Sequence, residues 1–324
     1  MFTKSLCIAA IAAFACSLAT APANARARVF VASYGNDSNP CTFGSPCKTF
    51  QSAVNVVDPG GEVTAIDSAG FGPITITHAV TITSPDGVEA GIVPPAGGAA
   101  ITINAGTSDH VVLRGLTLDG SGVGFDGVVF NSGAGLTIAN CVVQNFIFDG
   151  SNISTGHGIL IQPTSGTFDF AITNTTAANN GGMGILFDPP NGTGTLNVNG
   201  AIDHVVVTGN SSDGMGFATG DVTGGSVVIS ISNSVASNNG RRGIEADGGT
   251  VTFTISIDGT NMNGNAGTGV AIFGKVQAYL GRSVSTGNHS AAVQNSTSPN
   301  TFFSYKNNQF DQSISTLNTT LPLQ

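Results

Sequence analysis

The chain of 324 residues carries 45 glycines, no tryptophan and a formal net charge of −9. This acidic balance argues against a nucleic-acid partner and against electrostatic attachment to anionic lipid, and it weighs against polyuronate substrates, whose carboxylates require several Lys or Arg side chains. Since 40% of the residues are hydrophobic and recur in short alternating runs, the low charge indicates a long narrow core rather than disorder.

The first 25 residues are predicted to be a secretory signal peptide. Lys4 supplies the positive end, residues 6–18 form an apolar stretch, and Ala-Asn-Ala at 23–25 is a small-x-small cleavage site. Cleavage after Ala27 and a lipoprotein cut before Cys16 are the alternatives. The apolar stretch is shorter than the roughly 20 residues of a spanning helix, so we expect a secreted or periplasmic protein without membrane insertion.

Residues 26–70 are predicted to form the N-terminal part of a single domain that extends over 26–324. A strand over 29–32 precedes a loop in which Cys41 and Cys47 suit a disulfide in an oxidising compartment, with a zinc site as the rival interpretation. Apolar residues spaced i, i+3, i+4 and i+7 within 48–57 predict a short helix, which would cap the open end of a solenoid.

One short pattern recurs five times between about residues 167 and 293. Each copy reads Asn, three residues, a small residue and an apolar residue, and strand-like stretches precede each Asn. The asparagines are Asn180, Asn210, Asn239, Asn265 and Asn288. Each repeat therefore makes three short strands, and residues 71–300 are predicted to be the coils of an all-β, three-sided parallel β-helix. Residues 301–324 depart from the pattern and are predicted to be the C-terminal cap and tail.

These five asparagines are interpreted as a structural ladder rather than as a ligand site. Asparagine is favoured at a repeated tight turn because it tolerates left-handed backbone. Amides in register can also donate hydrogen bonds from one coil to the next.

The N-terminal segment resembles a known superfamily. Val-Phe-Val-Ala-Ser at 29–33, with 35–41 (GNDSNPC) and 46–53 (PCKTFQSA), looks like the N-terminal cap of bacterial right-handed β-helix proteins of the pectate-lyase-like superfamily. The resemblance extends over the chain that follows the signal peptide, because the later coils are of the same type. It implies a right-handed parallel β-helix, but no single activity, since the superfamily holds lyases, hydrolases, epimerases, phage spikes and adhesins.

The sequence Gly-His-Gly-Ile at 156–159 resembles the Gly-His-Gly element of polygalacturonases. The rest of that pattern is absent: there is no Asn-Thr-Asp, no adjacent Asp pair about 20 residues upstream, and no Arg-Ile-Lys. The coils use Gly-x-Gly-Ile elsewhere, as at 182–185. We therefore interpret His157 as a polar residue that faces a groove.

Strand parity predicts one cluster of ionisable side chains on the middle coils. Inward and outward residues alternate, so Glu245 and Asp247 share one outer strand face at roughly 6–7 Å, and Asp188 lies two coils away, on the order of 9–10 Å. The neighbouring turns carry Arg241, Arg242 and Asp213. Gly216 and Ala218, at the outward positions between the carboxylates, leave a shallow gap that favours a cleft.

Paired carboxylates at such distances serve glycoside hydrolysis as acid and as base or nucleophile, and an Arg beside a carboxylate serves a lyase. The predicted catalytic residues are Glu245, Asp247 and Asp188, and the predicted substrate-binding residues are Arg242, Arg241, His157 and Asp213. A solvated face with a local ion pair is the alternative interpretation. No cofactor is implied, because nothing matches the Gly-Gly-x-Gly-x-Asp calcium repeat, although Asp and Asn clusters in β-helices can bind calcium.

Two functions from different classes remain open, and neither fixes an oligomeric state. The favoured prediction is a secreted, non-catalytic β-helix that binds a polysaccharide or cell-surface glycan, or serves as an interaction scaffold. Its basis is the missing catalytic motifs and the low density of ionisable groups. The alternative is a polysaccharide lyase or glycoside hydrolase that uses the carboxylates on one β-helix face.

Overall fold

The computed structural model describes residues 26–152, 154–296, 301–312, 314 and 319–320. The predicted signal peptide and most of the residues after 312 lie outside the described residues. Within the described part, the chain is an all-β parallel β-helix, which confirms the predicted fold class.

All pairings between the described strands are parallel, as a solenoid requires. The strands are β1 (Arg28–Val31), β2 (Gly61–Ala65), β3 (Ala69–Gly70), β4 (Ile74–Ile76), β5 (Val80–Thr83), β6 (Ala90–Ile92), β7 (Ala99–Asn104), β8 (His110–Arg114), β9 (Leu116–Asp119), β10 (Asp126–Ser132), β11 (Gly135–Ala139), β12 (Val142–Gln144), β13 (Ile159–Ile161), β14 (Gly166–Thr173), β15 (Thr176–Ala178), β16 (Ile185–Phe187), β17 (Thr195–Asp203), β18 (Val206–Thr208), β19 (Met215–Ala218), β20 (Gly224–Ser232), β21 (Val235–Ser237), β22 (Ile244–Asp258), β23 (Thr268–Gly281), β24 (Val284–Ser285), β25 (Ala291–Ser296), β26 (Thr301–Ser304), β27 (Gln309–Phe310) and β28 (Thr319–Thr320).

The strands stack into three faces along the solenoid axis. Face 1 consists of β4, β7, β10, β13, β16, β19, the first parts of β22 and β23, and β25. Face 2 consists of β1, β2, β5, β8, β11, β14, β17, β20, the second parts of β22 and β23, β26 and β28. Face 3 consists of β3, β6, β9, β12, β15, β18 and β21, and it continues through Asn261 to β24 and β27.

Two coils depart from the predicted three separate strands. β22 has 15 residues and β23 has 14, and each runs from face 1 to face 2 without a break. The corner is turned at glycines: Gly274 has a φ of 62°, and a Cβ at Gly248 would lie 2.2 Å from the carbonyl oxygen of Lys275. The register between the two strands shifts at this corner, as expected of an irregularity in continuous strands.

The core is one narrow column of inward-facing Val, Ile, Leu and Phe side chains. Along face 1, Phe187 of β16 pairs with Phe217 of β19, and both side chains are almost fully buried. Burial of each such side chain stabilises the fold by about 1.5–3 kcal/mol. The alternate residues of the same strands face outward, and they form the surface on which a site can be built.

The helix of the N-terminal segment is shorter than the predicted 48–57. It is α1 (Phe50–Val54), and the hydroxyl oxygen of Thr49 caps it by accepting a hydrogen bond from the backbone N–H of Ser52 at 3.2 Å. Phe50 packs in the core against Phe71, with the ring centroids 5.0 Å apart. The role of this segment as the cap of the solenoid stays a prediction.

The loop before α1 contains the predicted disulfide. Cys41 and Cys47 are bonded to each other, and both are buried. The Asp37 carboxylate accepts hydrogen bonds from the backbone N–H groups of Lys48 and Thr49, each at 2.8 Å, and so fastens the loop to the start of the helix.

The five repeat asparagines form a continuous amide ladder inside the solenoid. In each of the first four, Nδ2 donates to the Oδ1 of the next asparagine at 2.9–3.1 Å, and the backbone N–H donates to the same oxygen at 2.9–3.2 Å. All five side chains are buried. The predicted bonding from coil to coil is confirmed.

The expectation of left-handed backbone at the ladder asparagines is wrong by one position. The residue before each asparagine has the positive φ instead. These residues are Asn179 (56°), Gly209 (67°), Asn238 (57°), Gly264 (64°) and Gly287 (64°). The left-handed residue reverses the chain, and the asparagine that follows it then points inward toward the amide of the next coil.

The ladder makes a testable contribution to stability. Asn239→Ala removes the donor to Asn265 and the acceptor for Asn210, and it leaves buried polar groups without partners at about 1–3 kcal/mol each. We expect urea unfolding to show a free energy of unfolding lower by about 3 kcal/mol. The control is Asn197→Ala on the exposed surface of β17, which should change stability little. Equal losses in the two variants would contradict the ladder's role.

Candidate functional site

A groove with a volume of about 550 Å³ lies on the outer surface of face 1, over β16, β19 and β22. Its floor follows the register of these strands, in which Leu186, Gly216 and Glu245 are successive partners. Ala218 and Asp247 are partners in the parallel column two residues further on. The outward positions predicted from strand parity are therefore correct.

Asp188 directly follows β16 and lines the same groove as Glu245 and Asp247. The three predicted catalytic carboxylates thus share one concave surface. The Met183 side chain packs over Gly216, since a Cβ at Gly216 would lie 2.6 Å from the Met183 sulfur. Ala218, the other small residue predicted between the carboxylates, lines the groove.

One wall of the groove is the turn between β12 and β13, which is longer than the turns at the same corner in the coils that follow. Phe148 lies on this wall, lines the groove and is 41% exposed. The turn is braced internally, since Thr155 Oγ1 accepts from the Asp149 backbone N–H at 3.1 Å and donates to the Asn152 carbonyl at 2.8 Å. The Phe148 ring is therefore exposed to solvent at the edge of the groove.

The opposite side of the groove is bordered by the turns after β16 and β19. With the Asn191 amide oriented so that its nitrogen faces the acid, it donates to an Asp221 oxygen at 2.6 Å. This contact joins the two turns beside Asp188. Burial raises the pKa of Asp188, and the Asp221 charge raises it further.

Four charged side chains form a compact cluster at one end of the groove. The Asp213 side chain is fully buried, and its Oδ1 accepts from the Arg242 backbone N–H at 2.8 Å. Its Oδ2 lies 3.4 Å from Arg241 Nη1, and the same nitrogen lies 3.4 Å from Glu245 Oε2. Arg242 Nη1 donates to Glu245, and its guanidinium lies over the Phe273 ring at 4.8 Å from the centroid.

The cluster divides the predicted substrate-binding residues. Arg241 and His157 line the groove, whereas Arg242 and Asp213 do not. Arg242 is turned toward Glu245 and Phe273, because a carboxylate and an aromatic face together satisfy its guanidinium better than the open groove does.

Within this cluster the proton and the negative charge are separated. Burial raises the pKa of Asp213 to about 8, and the hydrogen bond and charge of Glu245 act in the same direction. For Glu245, burial opposes ionisation, but the hydrogen bond from Asp213 and the two guanidinium groups hold its pKa below the usual range. The directions of both pKa shifts favour the proton on Asp213 and the negative charge on Glu245.

Asp247 is the more accessible carboxylate of β22. Burial raises its pKa, the charge of Glu245 raises it further, and Arg242 partly offsets both effects. Asp188 and Asp247 thus hold a proton more readily than exposed aspartates do. Both face the groove across Ala218.

His157 is buried at the groove wall, and its Nδ1 accepts from the Met183 backbone N–H at 3.0 Å. Its neighbour Asp126 was not among the predicted site residues, and the Asp126 Oδ1 accepts from the His157 backbone N–H at 2.9 Å. Burial raises the pKa of Asp126 to about 6, against the effect of two backbone hydrogen bonds. The available signal was an acidic residue between Phe125 and a glycine at the start of an apolar run.

The described residues contain no group of three or more His, Cys, Asp or Glu side chains that could hold a metal ion. Nor does any described helix have the length and apolar character that a membrane span requires.

No family model and no curated protein matches this chain. The chain is, however, similar to solved structures. Pectate lyase Pel9A is 16% identical over 91% of this chain and 78% of its own, with a TM-score of 0.62. The A-modules of the Azotobacter vinelandii mannuronan C-5 epimerases AlgE4 and AlgE6 are 17% and 13% identical, cover 77% and 81% of this chain and 77% and 89% of their own, and have TM-scores of 0.47 and 0.43.

The chain therefore has a right-handed parallel β-helix fold like that of the pectate lyase, as predicted. At 16% identity the likeness to the pectate lyase establishes the fold alone.

Because Asp213 is buried, we expect the stability of the fold to decrease as the pH rises. The folded-state pKa of Asp213 is raised from 3.8 to about 8, so its protonated form stabilises the fold fully below about pH 4, and this stabilisation is lost as the pH rises toward 8. Asp213→Asn keeps a hydrogen-bond donor to Glu245 but cannot ionise. Between pH 5 and pH 8, we expect the free energy of unfolding of this variant to fall less than that of the wild type. In the wild type, the single proton on Asp213 changes the free energy of unfolding by at most about 1.4 kcal/mol per pH unit.

The measurement is urea unfolding at a series of pH values. Asp169→Asn, on the exposed outer surface of β14, is the matched control and should keep the wild-type pH dependence. A pH dependence of Asp213→Asn identical to that of the wild type would contradict the assignment of the proton.

Proposed function

We propose that this protein is a carbohydrate-binding β-helix protein, and that the groove on face 1 binds a segment of an uncharged polysaccharide without cleaving it. The observation that carries the proposal is the composition of the groove: an exposed aromatic ring, Phe148, on one side and the carboxylates of Asp188 and Asp247 on the other. Sugars present apolar C–H faces that pack on aromatic rings and hydroxyl groups that donate to carboxylates. Binding sites for such molecules combine an apolar lining with a few placed polar groups.

The charge of the groove favours an uncharged glycan. Arg241 is the one Lys or Arg side chain among the described lining residues, and it is already paired with Asp213 and Glu245. A polyuronate would place further negative charge beside Asp188 and Asp247, and like charges at an interface disfavour association.

The state of Glu245 supports binding over catalysis. Its carboxylate is paired with Arg242 and Arg241 and accepts a hydrogen bond from Asp213, so its oxygens already have partners before a ligand binds. A nucleophile or general base needs a lone pair directed at the reacting group. Glu245 therefore acts as a positioning residue, which helps to fix the strand β22 that also carries Asp247.

A second candidate function is glycoside hydrolysis by Asp188 and Asp247. They lie in one outward column with Ala218 between them, and two coil steps of about 4.8 Å place them about 9–10 Å apart. Inverting glycosidases use carboxyl groups about 6.5–9.5 Å apart. Burial raises the pKa of both groups, as a general acid requires.

The proposed location is outside the cytoplasm. The Cys41–Cys47 disulfide fits an oxidising compartment, and the predicted signal peptide supplies a route for export. A glycan partner at a cell surface or in the periplasm is consistent with this location.

Binding is tested by affinity electrophoresis of residues 26–324 through gels that contain a panel of neutral polysaccharides. We expect retardation by at least one member, and Phe148→Ala should weaken it by about tenfold, because an aromatic contact contributes on the order of 1–2 kcal/mol. The matched control is Phe43→Ala, which removes another exposed phenylalanine, far from the groove in the disulfide loop. Retardation by no member of the panel, or equal weakening in both variants, would contradict the proposal.

Catalysis is tested by reducing-end release from the same panel. We expect no release by the wild type. Release that disappears in Asp188→Asn/Asp247→Asn but persists in the Asp169→Asn control would replace the binding proposal with hydrolysis at these two residues. The double variant keeps the shape of the groove, so its binding reports whether the site survives.

A further inference from the structure

A second cleft lies on a different face from the groove, on the outer surface of face 2 near its C-terminal end. It has a volume of about 420 Å³, and its sides are formed by Tyr279 and Tyr305. The chain contains three tyrosines, so two of them meet at this one place. The proposed function of the groove uses neither residue.

The parallel register builds one side of this cleft. Tyr279 of β23 is the partner of Phe303 of β26, so their rings lie one coil apart on the same outward column. The rings are stacked, with centroids 5.0 Å apart and an interplanar angle of 16°. Neither ring is buried in the core, and the stacking fixes the Tyr279 ring in one orientation before a ligand binds.

A glycine opens the space between the two tyrosines. Gly281 lies at the base of the cleft, and a Cβ there would lie 3.3 Å from the Tyr305 ring and 3.1 Å from an Asp258 carboxylate oxygen. Any larger residue would push the Tyr305 ring and the acid apart.

The base of the cleft is polar but carries no net charge. Thr254 and Ser256 present hydroxyl groups from the outward positions of β22, and Asp258 lies beside them. Arg282 pairs with Asp258 through both Nε, at 2.9 Å, and Nη2. This bidentate pair neutralises the acid, yet its carboxylate oxygens retain lone pairs that can accept further hydrogen bonds.

We propose that this cleft is a second saccharide-binding site, which takes one or two residues of an uncharged sugar independently of the groove on face 1. A pyranose ring packs its C–H face on the Tyr279 ring and donates hydroxyl hydrogens to Asp258. The paired charges exclude an ionic ligand as the preferred occupant. The hydroxyl groups of Thr254 and Ser256 match a ligand that is rich in hydroxyls better than an apolar peptide side chain.

Intrinsic fluorescence reports on this site directly. The chain has no tryptophan, and the one tyrosine outside the cleft, Tyr34, is 69% exposed in the N-terminal loop. We expect the tyrosine emission of residues 26–324 to change saturably with at least one of maltohexaose, cellohexaose and mannohexaose. Tyr279→Ala should weaken that binding at least tenfold, whereas Tyr279→Phe, which keeps the ring, should retain it.

Two controls separate this site from the groove. Tyr34→Ala should leave the saturable change intact, and so should Phe148→Ala, because the groove lies on another face. Because Tyr279→Ala also removes a fluorophore, its affinity for the same oligosaccharide is measured by isothermal titration calorimetry. Its melting temperature shows that the variant is folded. The proposal is overturned if none of the three sugars gives a saturable change, or if a folded Phe148→Ala/Tyr279→Ala double variant binds as tightly as Phe148→Ala. It is also overturned if Phe148→Ala alone removes binding.

Discussion

The structure depends on the fixed register between successive coils. Backbone hydrogen bonds between parallel strands set a spacing of about 4.8 Å, and the buried amide ladder from Asn180 to Asn288 repeats the same step inside the turn. The ladder has little freedom to slip, because each amide oxygen accepts from both the side chain and the backbone of its neighbour. The position of a residue in the repeat consequently determines where its outward side chain lies. Residues that are far apart in sequence therefore form a surface as rigid as a single strand.

The groove is a consequence of this register together with two local irregularities. The small outward residue Ala218 lines the groove between Asp188 and Asp247, and the extended turn that carries Phe148 forms one wall. The charges then follow from burial, which favours the protonated form of Asp213, so the two arginines of the next coil face one negative charge, that of Glu245, rather than two. This ordered cluster supports a preformed binding surface more readily than a reactive one.

The periodic part of this architecture could be read from the sequence. Recurring asparagines predicted the ladder, and strand parity placed Glu245, Asp247 and Asp188 on one surface, because both patterns depend only on the repeat. Features that break the repeat were missed. Phe148 lies in an irregular turn whose path depends on tertiary contacts, and the orientation of Arg242 depends on a partner in the next coil. Local patterns do not encode either contact.

Hydrogen exchange measured by mass spectrometry, with and without the polysaccharide that binds best, tests the central claim most directly. The turn between β12 and β13 carries Phe148 and lies outside the named strands, so hydrogen exchange of its amides reports on the edge of the groove. If the groove on face 1 is the binding site, the amides around Phe148 and in the turns near Asp188 and Asp213 become protected on binding. Protection confined to other faces of the solenoid would contradict the account.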